Sequence, residues 1–170
     1  MSVYHSLLEI KKFRESQAET EVRHRRLLLA EARRMVEQLE RQLEEYKDWA
    51  VRHELQLYAD ICTRLVRLRE IEELHFAIGD LRNRERNLEQ GVIDADQRRH
   101  AAAQELDTAV DVLTQAGRQT NKFKELARIY SEEARREQER QEEMEMEEFR
   151  SLDGRDDEWE SADDDANAVH

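Results

Sequence analysis

Hydrophobic positions recur every three or four residues along most of this 170-residue chain. In the C-terminal half the pattern runs from Ile71 to Ala134, and sixteen of its nineteen positions are apolar. This spacing is the a/d heptad register of a coiled coil, in which the apolar positions form a seam along one helix face. The nineteen positions are 71, 74, 78, 81, 85, 88, 92, 95, 99, 102, 106, 109, 113, 116, 120, 123, 127, 130 and 134.

A shorter seam precedes it, with nine apolar residues at its eleven positions: 22, 25, 29, 32, 36, 39, 43, 46, 50, 53 and 57. Alanine occupies six positions of the second seam, which leaves shallow holes for the Leu, Val and Tyr side chains of the first. This difference in size favours pairing within the chain. We therefore predict an all-α fold, a long antiparallel coiled-coil hairpin of two helices.

The extents of the two seams locate the turn, because the first begins near Leu7 and the second fades after Ala134. Equal pairing lengths place the turn at residues 61–68, where β-branched residues weaken the helix. Gly79-Asp80 is a stronger local turn signal. However, a turn there would pair the start of the chain with the apolar-poor stretch from Glu132 to Glu143. We predict helix 1 over residues 3–60 and helix 2 over residues 69–150.

The second helix is therefore expected to extend past the first. Residues from about 127 to 150 would be held helical by intrinsic propensity and by pairs such as Glu132 with Arg136. The sequence after Leu152 is acidic and contains few apolar residues. This composition predicts that residues 1–150 form the hairpin and that residues 151–170 form a disordered tail.

Composition limits the classes of partner. Charged residues make up 41% of the chain and proline is absent, which is typical of long helices. The net charge is −13, and an acidic chain repels phosphate backbones, so we expect no nucleic-acid partner. The longest apolar run, Leu27–Ala30, is too short to insert into a membrane. The single Cys62 and the absence of a signal pattern indicate a reducing, cytoplasmic compartment.

Two Glu-x-x-His spacings, at Glu21/His24 and Glu72/His75, are the only pattern suggestive of a metal site. In the predicted hairpin they would lie roughly 45 Å apart, and both histidines fall one step outside the seams. A two-helix hairpin also offers no pocket that could desolvate a catalytic group. We therefore expect no enzymatic activity, no catalytic residue, no cofactor and no metal.

The hydrophobic pattern by itself indicates Phe76 as a candidate binding residue. It is apolar, lies outside the seam, and is close to Leu65 and Leu68 near the predicted turn. Clustered exposed apolar side chains are typical of docking sites. The alternative is that these residues only cover the turn and satisfy one another.

Several short motifs are similar to the YscO/FliJ family of type III secretion stalk proteins, and closer to its virulence or symbiosis branch, YscO, than to its flagellar branch. The resemblance covers roughly residues 4–150. The motifs are Leu7-Leu8-Glu9-Ile10-Lys11-Lys12 with Arg14-Glu15 and Ala18-Glu19, Leu81-Arg82-Asn83-Arg84-Glu85-Arg86 with Leu88-Glu89, Lys122-Phe123-Lys124-Glu125-Leu126, and Glu147-Glu148-Phe149.

This resemblance implies a cytoplasmic protein that associates peripherally with the inner-membrane export apparatus. Its paired helix ends would enter the pore of the hexameric export ATPase and stimulate it, through Ile10 and Phe13 on helix 1 and the stretch from Phe123 to Phe149 on helix 2. The resemblance also implies contact with the cytosolic domain of the export gate, through Leu74 and Ala77 at the start of helix 2. Secretion chaperones are a third implied partner.

Two other protein classes remain open at this stage. A homodimeric structural coiled coil would use the same seams between chains, whereas the hairpin predicts a monomer. A peripheral ATPase stator would require a globular C-terminal domain, and this C-terminus reads as an acidic helix and tail. The leading expectation is a stalk or adaptor protein, and the alternative is a generic coiled-coil interaction protein with no link to an ATPase.

Overall fold

Two long helices account for almost all of the computed structural model, which describes the backbone of residues 3–165 and the side chains through Arg155. Helix α1 spans Val3–Cys62 and helix α2 spans Leu68–Asp165. Among the described residues there is no strand, no cis peptide bond and no residue with positive φ. The predicted all-α helical hairpin is confirmed.

The buried residues follow the heptad pattern. All eleven predicted positions of the first seam are buried or half-buried, and so are the positions of the second seam from Ile71 through Ala127. Leu8 and Ala18 are also buried and continue the first seam toward the start of α1. The last two predicted positions, Tyr130 and Ala134, are exposed.

The chain divides into two compact units, and both helices contribute to each. The turn unit, Arg14–Ala116, contains the connection between the helices. There the two helices are linked by a hydrogen bond from the Tyr46 hydroxyl to the Leu81 carbonyl oxygen (2.9 Å) and by an ion pair between Arg25 and Glu105 (2.6 Å). From Tyr46 back to Arg25 in α1, the contacted residue in α2 advances from Leu81 to Glu105, so the helices are antiparallel in this unit.

The connection consists of residues 63–67 and ends at a helix cap. The backbone N–H of Arg67, just before α2, donates to the Glu70 carboxylate (3.0 Å), and the Arg64 guanidinium donates to the same carboxylate (3.2 Å). This is the half of a capping box in which the third helical residue reaches back to the residue before the helix. Gly79 and Asp80 lie inside α2.

The terminal unit combines the residues up to Phe13 with those from Gly117 onward. Within it, the Tyr4 and Tyr130 rings are 5.4 Å apart, and the buried Thr120 hydroxyl donates to the Lys11 carbonyl oxygen (3.3 Å). Helix α1 begins at Val3, so α2 has no facing segment of α1 beyond Tyr130. This accounts for the exposure of the last two predicted seam positions.

The end of α2 differs from the sequence prediction. The helix continues to Asp165 instead of ending near residue 150, and Gly154 lies within it. No proline interrupts this stretch, and one glycine costs a helix interior only about 1 kcal/mol. The predicted disordered tail therefore begins as helix from residue 151, and its last residues, 166–170, lie outside the described residues.

Candidate protein-binding surfaces

The longest stretch of unpaired helix is the part of α2 in the terminal unit that follows Tyr130. We call residues 131–155 the C-terminal extension, because their side chains are described. All of these side chains are exposed except Glu132, which is half-buried. The extension contains ten acidic and five basic residues, a net charge of −5.

The preceding part of the same unit carries the opposite charge. Residues 3–13 and 117–130 contain six basic and two acidic residues, a net charge of +4. Hydrogen bonds from Arg128 hold the pKa of the Glu125 carboxyl below its usual value, and the two carboxylates of Glu125 and Glu132 raise the pKa of Arg128. The terminal unit is therefore divided into a basic paired part and an acidic unpaired part.

The candidate residues implied for the helix ends are not equally available. Ile10, Phe13 and Phe149 are exposed, with Phe149 at 74%. Phe123 is half-buried, and the Lys11 ammonium lies over its ring at 5.3 Å from the centroid. Phe123 therefore contributes to the packing of the terminal unit, whereas the other three present their side chains to solvent.

The three candidates near the start of α2 also differ. Leu74 is buried in the seam of the turn unit, Ala77 is half-buried, and Phe76 is 77% exposed. Leu74 therefore supports the hairpin and does not form part of an exposed surface. The exposed apolar side chain of this group is Phe76.

Other apolar side chains of the turn unit are also exposed near the connection. Leu65 is completely exposed, and Leu68 is 73% exposed, so neither is buried by covering the turn. Leu55 and Tyr58, near the end of α1, are exposed as well. The alternative, in which these side chains bury one another by covering the turn, is therefore wrong.

An aromatic cluster in α1 was not predicted as a unit. The Trp49 ring stacks on His53 at 4.8 Å and lies 5.7 Å from Tyr46, while the Arg84 guanidinium lies 5.7 Å from the centre of the Tyr46 ring. The spacing of these α1 residues, three and four apart, is the sequence signal that could have identified the cluster. Trp49 is still 44% exposed.

The largely apolar groove of the turn unit has a volume of about 430 Å³. Arg25, a seam residue, bridges Glu21 and Glu105 at its edge, and the small side chains of Ala18, Ala101 and Ala109 form much of its wall. Within the described residues, no group of three or more His, Cys, Asp or Glu side chains could hold a metal ion. His24 and His75 are both on exposed faces.

Comparison with known proteins assigns the fold to a family. The family described as Type III secretion protein YscO matches residues 4–152. The chain belongs to the YscO family of type III secretion proteins. The 2.8 Å crystal structure of type III secretion protein YscO from Vibrio parahaemolyticus is similar to this chain, with 31% sequence identity and a TM-score of 0.83. The match covers 86% of this chain and 92% of the Vibrio chain.

No curated protein matches this chain. The YscO match begins one residue after the start of α1 and ends at Leu152, so it includes the whole described connection and nearly all of the C-terminal extension. The extension is therefore part of the family's own length. Across residues 3–165, neither helix has a stretch long and apolar enough to cross a membrane.

Proposed function

We propose that this YscO-family chain is a cytoplasmic stalk and adaptor protein, peripherally associated with the inner-membrane export apparatus, that binds and stimulates the hexameric export ATPase. The observation that carries the proposal is the C-terminal extension, a single acidic helix with exposed side chains and no facing segment of α1. A lone helix is about 10–12 Å wide with its side chains, and 25 residues of it span about 37 Å. Such a segment can enter a narrow pore.

The charged side chains of the extension are suited to weak contacts with the ATPase ring that can break and form again. Exposed ion pairs each contribute about 0–1 kcal/mol, so a helix bound by several of them can change its contacts without a large barrier. In the proposed arrangement the extension enters the ATPase ring, and Ile10 and Phe13 on the outer surface of α1 contact its entrance. No catalytic group of this chain is needed, because the protein acts by binding.

The adaptor part of the proposal concerns the turn unit. We assign contact with the cytosolic domain of the export gate to the exposed apolar surface around Phe76, with Ala77 at its edge. Secretion chaperones are a further proposed partner, for which neither unit provides a distinguishing feature. This assignment gives the two units separate roles that can be tested separately.

The test is ATP hydrolysis by the cognate export ATPase with three forms of the protein: the full chain, a chain truncated after Ala134, and the full chain with Phe76→Ala. Truncation after Ala134 keeps the Tyr4–Tyr130 contact and both Arg128 ion pairs, so the hairpin should remain folded. We expect the full chain and Phe76→Ala to stimulate hydrolysis and the truncated chain to lose most of the stimulation.

Absence of stimulation by the full chain would contradict the stalk function. Undiminished stimulation by the truncated chain would contradict the role of the extension. A separate binding measurement with the cytosolic domain of the export gate tests the adaptor role. Loss of this binding in Phe76→Ala, with ATPase stimulation intact, would support that role of the turn unit. Circular dichroism and melting of each variant provide the control for folding.

A further inference from the structure

Three large apolar side chains share one face of the C-terminal extension. Met146, Phe149 and Leu152 are 61%, 74% and 60% exposed. Residues three apart on a helix lie about 60° apart around its axis, so Met146 and Leu152 flank Phe149 on the same face. We call these three residues the apolar face of the extension.

The charged side chains nearest Phe149 around the axis are acidic, and Arg150 lies at the edge of this face beside Met146. Glu142 is seven residues before Phe149, Glu145 is four residues before it, and Asp153 is four residues after it. Each of these side chains therefore lies within about 40° of Phe149 around the helix axis. Among the described residues, the intrahelical ion pairs that involve the extension join Arg128 to Glu132, Arg135 to Glu139 and Arg140 to Glu137, and all three precede the apolar face. The carboxylates of Glu145 and Asp153 therefore remain available to a partner.

The sign of these charges selects the partner. Anionic lipid surfaces and nucleic acids both repel an acidic face. Two copies of the face packed against each other would bring like charges together, which is destabilising. A protein surface with an apolar pocket and basic side chains at its border complements both features, because it buries the three side chains and pairs the carboxylates.

We propose that Met146, Phe149 and Leu152 anchor the extension in apolar pockets bordered by lysine or arginine side chains on the inner wall of the export ATPase ring. The inference rests on the proposed function and adds which face is bound and what chemistry receives it. Phe149 is the central anchor, because its large ring lies between the other two side chains. Glu142, Glu145 and Asp153 set the orientation of the helix through ion pairs at the rim.

The experiment measures the affinity of the full-length chain for the cognate ATPase hexamer by fluorescence anisotropy at several salt concentrations. Phe149→Ala should weaken binding at least tenfold, and Phe149→Leu should restore most of the loss. The matched control is Met144→Ala, which removes an equally exposed side chain (59%) from the opposite side of the same helix. This control should leave the affinity within about twofold, as expected for a side chain outside the bound face.

The electrostatic part has its own matched pair. Glu142→Gln with Glu145→Gln should weaken binding and flatten its salt dependence, because these residues lie on the apolar face. Glu143→Gln with Glu147→Gln removes the same charge farther from Phe149, at about 120° and 160° around the axis, and should change the affinity and its salt dependence less. Helicity measured by circular dichroism should be the same for all of these variants.

Equal effects of Phe149→Ala and Met144→Ala would overturn the inference while leaving the proposed function standing, provided that truncation after Ala134 still abolishes stimulation. Failure of the full chain to bind or stimulate the ATPase would contradict both. A dimer of the full chain that Phe149→Ala converts to a monomer would assign the face to self-association and would also overturn the inference.

Discussion

At the scale of single residues, the chain uses side chains of unequal size to fix its packing. Ala95, at 2% exposed, and Ala109 are buried, and the larger Val22, Leu29 and Val36 are buried in the facing helix. Small residues in one seam and larger ones in the other allow close approach without voids. The size pattern predicted from the sequence therefore agrees with the residues that are buried in the turn unit.

Glu70 caps the start of α2, and we predict that its contribution to stability depends on pH. The hydrogen bond from the Arg67 backbone N–H, followed by the Arg64 charge, holds the pKa of the Glu70 carboxyl below its usual value. A carboxyl with a lowered pKa in the folded state stabilises the fold above its unfolded-state pKa, and this contribution is lost as pH falls through the folded-state pKa. Glu70→Ala should therefore lower the melting temperature at neutral pH.

The difference in melting temperature between the wild type and Glu70→Ala should shrink as the pH is lowered. It should disappear once the Glu70 carboxyl of the wild type is protonated. The control is Glu72→Ala, which removes an exposed carboxylate two residues further along the same helix. Its melting temperature should follow that of the wild type more closely at every pH. A Glu70→Ala deficit that stays constant down to acid pH would contradict the capping role.

At the scale of elements, α2 continues through Gly79-Asp80, where the alternative turn would have interrupted it. Apart from its chain neighbours and the adjacent backbone of α2, a Cβ atom added at Gly79 would meet no heavy atom within 4 Å, and Gly79 does not have positive φ. Alanine is more favourable than glycine in a helix interior by about 1 kcal/mol. Gly79→Ala should therefore stabilise the protein by roughly 0.5–1 kcal/mol in thermal or urea unfolding.

Gly91 provides the comparison, because it is also inside α2 with open space around its Cβ position. Gly91→Ala should stabilise the protein by a similar amount. If Gly79 instead occupied a turn that required positive φ, Gly79→Ala would destabilise the protein while Gly91→Ala would still stabilise it. That divergence would show that α2 does not continue through residue 79.

At the scale of the whole molecule, the seams leave little apolar surface for a second copy. Every predicted position of the first seam is buried or half-buried within a single chain. We therefore predict a mass of 20.4 kDa by sedimentation and a melting temperature that does not depend on protein concentration. A mass near twice this value with concentration-dependent melting would favour the homodimeric coiled coil instead.

The sequence by itself determined the helices and their buried faces. Heptad periodicity is a local property of the chain, so it predicted the seam from Val22 to Leu57 and the seam from Ile71 to Ala134, whose positions through Ala127 are buried or half-buried. The motifs also identified the family, which the match over residues 4–152 confirms. Which partners the protein binds stays a prediction.

Only the tertiary structure decided the contacts that cover particular side chains or leave them open. The Lys11 ammonium lies over the Phe123 ring, and Leu65 and Leu68 are exposed instead of covering the turn. The capping role of Glu70 likewise depends on the conformation of residues 63–67. These outcomes depend on where α1 begins and how the chain reverses, and periodicity along a single helix carries no information about either.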